Sequence, residues 1–169
     1  MGNGLQVRAA SSQDVSAIVA IYAPQVLRGT ASFELETPDA DEMLRRMAGI
    51  IELGLPYLVA EIDGEIAGYA YVSRFRPRAA YHATGENSVN VAERFPRRGV
   101  ARQLMHQLMD RSARIGLREM IAVIGDPTAN SASVAFHRSL GFKQAGVLRS
   151  VGEKFGRALD VMMMQQSLR

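Results

Sequence analysis

Three arginines and one glycine lie within residues 97–102, between a segment typical of a strand and an amphipathic helix. Residues 87–92 alternate in polarity as a half-buried strand does, and Val100, Leu104 and Leu108 follow at helical spacing. A glycine at such a junction lets the backbone turn tightly, and the first N–H groups of the helix are free to bind an anion. Neighbouring arginines add charge-assisted hydrogen bonds, so this segment predicts a site for a phosphate-bearing small molecule.

The same pattern is typical of a strand, turn and helix that bind nothing, and six residues alone do not separate the two interpretations. The sequence contains no G-x-x-x-x-G-K-[ST] motif and no G-x-G-x-x-G motif after a strand. A phosphate site would therefore depend on the helix N-terminus and the arginines.

The rest of the pattern predicts an α/β (α+β) fold with one mixed sheet and helices on both faces. Strands are expected at residues 5–9, 57–62, 65–73, 86–92, 118–124, 142–149 and 159–165, and helices at about 12–27, 38–53, 98–115 and 130–140. Thr37 is the expected N-cap of the second helix, and Asp63-Gly64 is a strong hairpin signal. The β-α-β order over residues 86–124 puts the arginine segment at the end of a parallel strand, where such folds bind ligands.

Composition predicts one globular domain over residues 1–169. Apolar residues make up 47% of the chain, and 20 basic against 17 acidic residues give a net charge of +3. That mild charge suits a polyanionic small ligand, and no nucleic-acid partner is expected. No apolar run approaches the roughly 18 residues of a membrane span, and the scattered histidines predict no metal site. The absence of cysteine and of a signal pattern fits a cytoplasmic protein.

Five segments in one order carry a resemblance that covers roughly residues 5–166. They are E-N-S-V-N-V at 86–91, the arginine segment, I-A-V-I-G at 121–125, H-R-S-L-G-F at 137–142 and G-E-K-F-G-R at 152–157. With the element order, they resemble the GNAT superfamily of acetyl-CoA-dependent N-acetyltransferases, in its phosphinothricin or methionine sulfoximine acetyltransferase branch.

The resemblance implies acetyl-CoA as co-substrate and no metal. Family members bind the pyrophosphate on loop N–H groups and lay the pantetheine arm along a strand, like an added strand. The parallel strands are expected to separate at Val91 and Ile124. Asn130 is expected to hydrogen-bond the arm; a helix N-cap is its alternative role, and it could serve as both. The implied cofactor-binding residues are Val89, Asn90, Val91, Arg97, Arg98, Gly99, Val100, Ala101, Arg102, Asn130, Ser133 and Phe136.

The resemblance also implies the catalytic groups. Acetyl transfer to an amine needs a base for the ammonium proton, N–H donors for the oxyanion and an acid for the leaving thiolate. Glu86 stands where the family places its base, acting directly or through water; the alternative is a strand-end surface charge. His137 stands where this branch carries a histidine in place of a tyrosine acid; the alternative is a packed helix histidine. An N–H near Asn90 or Val91 is the implied oxyanion donor.

The branch implies a small amino-acid-like amine as acceptor. The implied walls of its site are Phe33 and Glu34 on one side and Arg74, Phe75, Arg78 and Tyr81 on the other. Arg78 matches an arginine that the branch uses to clamp a carboxylate through two parallel hydrogen bonds.

Several positions depart from the branch pattern. Pro96 removes one N–H from the loop, and Ala83, Ala158 and Glu153 replace common aromatic residues. These changes leave open a non-catalytic acyl-CoA-binding domain, or transfer to a different amine or a protein N-terminus. The family often forms homodimers, so a homodimer is expected. Residues 161–164 (V-M-M-M) are either a buried strand, which is the preferred interpretation, or part of that interface.

Overall fold

The computed structural model describes residues 4–169, so Met1, Gly2 and Asn3 of the expected domain lie outside the described residues. The strands are β1 (Leu5–Ala9), β2 (Tyr57–Ile62), β3 (Glu65–Arg74), β4 (Thr84–Val91), β5 (Glu119–Gly125), β6 (Lys143–Lys154) and β7 (Arg157–Ser167). The helices are α1 (Val15–Leu27), α2 (Ala40–Glu52), α3 (Val100–Arg114) and α4 (Ser131–Ser139). The predicted order of elements is confirmed.

One sheet contains all of these strands, in the order β1-β2-β3-β4-β5-β7-β6. β4 and β5 are parallel and are joined by α3, whereas the other neighbouring strands are antiparallel. The parallel pairing is short: it runs only from Thr84 opposite Glu119 to Asn87 opposite Ala122. The predicted mixed sheet with a central β-α-β unit is therefore confirmed.

Helices cover both faces of the sheet. On one face, α1 and α2 pack against β2 and β3 in a cluster that includes Ile18, Met43 and Tyr69. On the other face, α3 and α4 pack over the sheet in a larger cluster that includes Leu104 and Phe142. Because side chains alternate along a strand, neighbouring residues of β4 face different helix layers.

Two hairpins close through two-residue turns with left-handed backbone. Asp63 and Gly64 have φ values of 52° and 83°, as the hairpin signal predicts, and Phe155 and Gly156 have φ values of 52° and 68°. The second turn makes β6 and β7 longer than predicted. Register shifts within β6 and its exposed side chains interrupt the polarity alternation on which the prediction of that strand relied.

The predicted N-cap of the second helix was wrong. Asp39, not Thr37, caps α2, and its side chain accepts a hydrogen bond of 2.8 Å from the Glu42 N–H. Pro38 is buried before the cap instead of starting the helix, and it moves the first turn by two residues. Asp39 then supplies the capping oxygen and a negative charge at the helix N-terminus.

The apolar run in β7 divides between the two faces of the sheet. Met164 is fully buried and Met162 packs against the α3–α4 core, as the preferred interpretation predicts. Val161 and Met163 are only half-buried on the opposite face. That face continues into Leu148, which is 50% exposed.

Candidate active site

The N-terminus of α3 is open to a ligand. Its first helical hydrogen bond runs from the Gln103 N–H to the Gly99 carbonyl at 3.0 Å, so the three preceding N–H groups lack helical acceptors. Gly99 is the N-cap residue and has left-handed backbone, with φ 76° and ψ 6°. Arg97 also has a positive φ, of 56°. This tight loop directs the N–H groups of Val100, Ala101 and Arg102 away from the protein interior.

A cleft of about 560 Å³ lies beside this helix end. Predicted cofactor residues that line it are Val91, Arg97, Arg98, Gly99, Val100, Ala101, Arg102 and Phe136. Within residues 4–169, Arg97 and Arg98 form no ion pair and are exposed, whereas Arg102 donates to Ser139 Oγ at 3.0 Å. Two exposed arginines beside a helix N-terminus have the chemistry that favours an anion.

The parallel strands separate earlier than the sequence analysis predicts. Their pairing ends at Asn87 and Ala122, not at Val91 and Ile124. A cavity of about 160 Å³ opens in this split, bordered by residues 87–90 of β4 and 122–125 of β5. The position of the split depends on the twist and packing of the sheet, which strand polarity does not encode. Val89, Asn90 and Val91 thus have one backbone edge that faces no strand.

Glu86 lies on the α1–α2 face of β4. It is the register partner of Ser73, and Ser88, two residues along the same face, borders the cavity. Burial raises the pKa of the Glu86 carboxyl above its ordinary value, and the positive charge of Arg76 opposes this shift. A half-buried carboxyl with a raised pKa has the properties of a general base.

His137 approaches β4 from the opposite face. It is 4% exposed, and both ring nitrogens have partners: Nδ1 lies 2.9 Å from the Ser133 carbonyl and Nε2 lies 3.0 Å from Asn87 Nδ2. Burial lowers the pKa of His137 below its ordinary value, and the bond to Ser133 opposes this shift. The two predicted catalytic side chains therefore lie on opposite faces of the sheet, and Asn87, Ser133 and His137 share the wall of the cavity.

Asn130 is the N-cap residue of α4, as its alternative role predicts, although its side chain makes no capping hydrogen bond. Its Nδ2 donates to the Gly125 carbonyl at 2.8 Å and to Thr30 Oγ1 at 3.2 Å. These bonds tie the start of α4 to the end of β5 and to the α1–α2 loop. Nδ2 is a donor, so it binds these oxygens and not the N–H groups at the start of the helix.

The α1–α2 loop carries one predicted acceptor wall and is fixed to the sheet. Lys154 Nζ donates to the Ser32 carbonyl at 2.8 Å, and the Phe33 ring packs against Gly125 and Gly152. Glu34 accepts from Tyr22 Oη at 2.9 Å and from Arg46 Nη1 at 2.7 Å. Although burial raises the pKa of Glu34, the hydrogen bonds from Arg46 and Tyr22 outweigh it and lower that pKa.

The β3–β4 loop carries the other predicted wall. Phe75 and Tyr81 pack edge to face with ring centres 5.7 Å apart, and the Arg76 guanidinium lies 5.2 Å from the Phe75 ring centre. Arg74 and Arg78 are exposed, and Arg78 precedes a short 3-10 turn. The arginine whose charge acts on Glu86 is Arg76, which sequence reasoning did not select.

Residues 4–169 contain no helix long and apolar enough to cross a membrane. The same residues hold no group of three or more His, Asp or Glu side chains placed to bind a metal ion.

Known proteins share this fold and match this chain over most of its length. A family model described as Acetyltransferase (GNAT) domain matches residues 7–163. A phosphinothricin N-acetyltransferase of Alcaligenes faecalis is 49% identical over 162 residues, which are 96% of this chain and 82% of the relative. An L-methionine sulfoximine/L-methionine sulfone acetyltransferase of Salmonella typhimurium is 36% identical over 164 residues, 97% of this chain and 95% of the relative. The chain belongs to the GNAT acetyltransferase family.

A solved structure agrees with this assignment. The phosphinothricin acetyltransferase of Sinorhizobium meliloti, in complex with AcCoA, has a TM-score of 0.92 and 38% identity, and the match covers 97% of this chain and 88% of that one. As a GNAT enzyme, this chain is an N-acetyltransferase that uses acetyl-CoA.

Sequence reasoning missed several residues that border the cavity between β4 and β5 or lie close to Glu86. Asn87 was read only as part of a strand, although a polar residue at an inward position of β4 is a signal of a buried hydrogen bond. Arg76 stood among alternating arginines, and only its distance from Glu86 in the fold separates it from Arg74 and Arg78. Tyr22 reaches the cavity from α1 and Ser32 reaches it from the loop after α1, and no local pattern indicates either position.

Proposed function

We propose that this protein acetylates the α-amino group of a small amino acid, with phosphinothricin and methionine sulfoximine as the nearest candidate acceptors. The proposal rests on one arrangement. The split between β4 and β5 has the open N-terminus of α3 on one side and the half-buried Glu86, on which the positive charge of Arg76 acts, on the other. The names of the relatives from Alcaligenes faecalis and Salmonella typhimurium support the same class of acceptor.

The donor would bind along the split. We assign the pyrophosphate to the N–H groups at the start of α3 and to the free Arg97 and Arg98 side chains. The pantetheine arm would pair with the free edge of Val89, Asn90 and Val91, as an added strand does. Pro96 contributes no N–H, so the helix N-terminus would carry most of the phosphate contacts.

The acceptor would bind beside Glu86. Its ammonium group matches the carboxylate, and its carboxylate matches Arg76, with the exposed Arg74 and Arg78 as further partners. Phe33 and Glu34 on one side, and Phe75 and Tyr81 on the other, would border it. An acceptor without a carboxylate lacks the group that Arg76 would bind, so this arrangement favours amino acids over simple amines.

The chemistry is direct transfer in a ternary complex. Glu86 takes a proton from the ammonium, the neutral nitrogen forms a bond to the thioester carbon, and a backbone N–H near Asn90 or Val91 stabilises the oxyanion. The C–S bond then breaks, the nitrogen loses its second proton to become the amide, and this loss balances the proton that the leaving thiolate takes up. The family resemblance implies His137 as the source of that proton, and its Nε2 lies 3.0 Å from Asn87 Nδ2.

The test follows thiol release from acetyl-CoA, with and without phosphinothricin, methionine sulfoximine and a panel of amino acids and amines. Amino-acid-dependent release supports the proposal. Binding of acetyl-CoA without release across the panel would favour a non-catalytic acyl-CoA-binding domain. Glu86→Gln should lower kcat/KM by about 10²–10⁴-fold at neutral pH. Glu52→Gln, an exposed site on α2, is the matched control.

We also propose a homodimer. The support is the apolar surface formed by Val123, Leu148, Val161 and Met163, of which Val123 is 39% and Leu148 is 50% exposed. Light scattering should report twice the monomer mass, and Leu148→Glu should halve it. A monomer at micromolar concentration would contradict this proposal.

We propose a cytoplasmic location as well, because acetyl-CoA is made and used inside cells. Cell fractionation tests this location.

A further inference from the structure

Asn87 and His137 form a buried polar pair under the split between β4 and β5. Asn87 is 8% and His137 is 4% exposed, and both border the cavity. The His137 ring is packed edge to face against Phe142, with ring centres 5.1 Å apart, and against Phe136 at 5.5 Å. Packing on two aromatic rings and a hydrogen bond to the backbone leave the imidazole little freedom to turn.

The partners of the imidazole fix the position of its proton. Nδ1 lies 2.9 Å from the Ser133 carbonyl oxygen, which only accepts, so Nδ1 carries the hydrogen. In a neutral ring, Nε2 is then an acceptor, and it receives the bond of 3.0 Å from Asn87 Nδ2. His137 is therefore the neutral Nδ1–H tautomer.

The same partners fix the orientation of the Asn87 amide. Its Nδ2 has two acceptors, His137 Nε2 and the Met105 sulfur at 3.7 Å. Turning the amide by 180° would place Oδ1 against a nitrogen lone pair and a thioether. The amide therefore has one stable orientation, and Oδ1 lies on the side away from His137.

Asn87 Oδ1 is buried and has no hydrogen-bond partner among residues 4–169. An unpaired buried oxygen is unfavourable, and native proteins keep few of them. This oxygen belongs to a residue that borders the cavity where the arm of acetyl-CoA would lie. The arm carries amide N–H groups, which are the type of donor that Oδ1 lacks.

We propose that Asn87 is an acetyl-CoA-binding residue whose Oδ1 accepts a hydrogen bond from an amide N–H of the arm, and that His137 is the positioning residue that orients it. This inference rests on the proposed function of the split as the acetyl-CoA site. It assigns His137 a role in acetyl-CoA binding instead of proton donation, because Nε2, the ring nitrogen that faces Asn87, carries no proton in this tautomer.

Steady-state kinetics separate the two roles of His137. Asn87→Leu should raise KM for acetyl-CoA about tenfold, the effect of one lost hydrogen bond, and change kcat less than threefold. His137→Phe should raise the same KM by a similar factor, and the double variant should be no worse than either single variant, because both changes remove one contact. His106→Gln, at an exposed position of α3, is the control for loss of a histidine.

Three results would overturn the proposal. One is a KM for acetyl-CoA that is unchanged in Asn87→Leu. Another is a fall in kcat of a hundredfold or more in His137→Phe at unchanged KM, with loss of the alkaline limb of the pH profile, as expected for a general acid. The third comes from the wild-type protein and needs no variant: ¹⁵N spectra of the imidazole that report a hydrogen on Nε2.

Calorimetry with coenzyme A keeps the test independent of turnover. If the wild-type protein binds coenzyme A but acetylates no acceptor in the panel, the proposed function fails while the Asn87 contact is still measured. Asn87→Leu should then weaken coenzyme A binding about tenfold. Equal affinity of the wild-type protein and Asn87→Leu would reject the contact, provided that the thermal unfolding of both proteins shows them folded.

Discussion

A single methyl group at Gly152 should displace the acceptor wall. A Cβ built on Gly152 would lie 2.6 Å from Phe33 Cδ2 and 3.0 Å from Cζ, closer than real Cβ atoms approach other atoms. Gly125 closes the other side of the ring, where an added Cβ would be 2.6 Å from Phe33 Cε1. The ring cannot move toward β5, so Gly152→Ala must push it, and the loop that carries it, away from the sheet.

The expected magnitude follows from overpacking. Forcing a methyl group into a packed site costs about 1–3 kcal/mol, which the protein pays either in global stability or by releasing the loop. Release breaks the hydrogen bond from Lys154 to the Ser32 carbonyl and moves Glu34 from the acceptor side. A cost near 1.4 kcal/mol then lowers kcat/KM for the acceptor about tenfold. KM for acetyl-CoA should rise less than that for the acceptor, because the loop borders only the arm of the donor site at Ser32 and the proposed pyrophosphate site at the start of α3 lies elsewhere.

The assay compares Gly152→Ala with Gly146→Ala. Gly146 lies on the same strand, and an added Cβ there meets nothing within 4 Å, so its variant should keep wild-type kinetics and unfolding. Phe33→Leu removes the ring and should partly rescue Gly152→Ala in the double variant. Wild-type acceptor kinetics and unchanged unfolding in Gly152→Ala, or equal damage in Gly146→Ala, would refute the reasoning.

Three further predictions concern the helix end, the base and the ion pair between the exposed Arg8 and the buried Asp14. Gly99→Ala, at φ 76°, should lower the unfolding free energy by about 1 kcal/mol and weaken coenzyme A binding. Gly49→Ala, inside α2 with open space around it, should leave stability unchanged or raise it. Urea unfolding measures the stability of each variant, and calorimetry measures its coenzyme A binding. Because burial raises the pKa of Glu86, kcat/KM should fall on acidification at a pH above that of an ordinary carboxyl, and Glu86→Gln should lose this limb. The hydrogen bond from Arg8 lowers the pKa of Asp14 in the folded protein. The resulting stability is therefore present above the unfolded pKa of about 3.9 and is lost as the pH falls through the folded pKa. The stability of Asp14→Asn, measured by urea unfolding, should depend less on acid pH.

Each of these predictions has an outcome that contradicts it. Coenzyme A affinity equal to wild type in Gly99→Ala would mean that the helix N–H groups do not bind the phosphates. An acid limb that persists in Glu86→Gln would assign that limb to another group. An unchanged acid dependence in Asp14→Asn would mean that carboxyl groups elsewhere cause the loss of stability.

Local signals in the sequence predicted the helices, strands and turns well where the backbone preference of a residue favours one local structure. Asp63-Gly64 predicts a hairpin because few residues adopt left-handed backbone, and the turn forms there. Gly99 before an amphipathic run predicts an open helix start for the same reason. Where two residues of similar propensity compete, the prediction fails: Thr37 and Asp39 are both good N-caps, and the burial of Pro38 decides between them.

The candidate site is less predictable, because it depends on distances across the sheet. Family resemblance selected Glu86 and His137 together, yet alternation along β4 and the position of α4 place them on opposite faces. No sequence pattern states which of Arg74, Arg76 and Arg78 acts on Glu86, since all three lie within five residues at the end of β3 and in the loop after it.

By itself, the sequence determined the order of elements, the anion-binding helix end and the family, because each depends on residue types at short spacing along the chain. Only the tertiary structure decided where β4 and β5 separate, which proton His137 carries and which oxygen of Asn87 is left unpaired. Most of these depend on contacts between residues far apart in the chain, such as that of Asn87 with His137, 50 positions away. Such contacts form only when the sheet twists and the helices pack on its two faces.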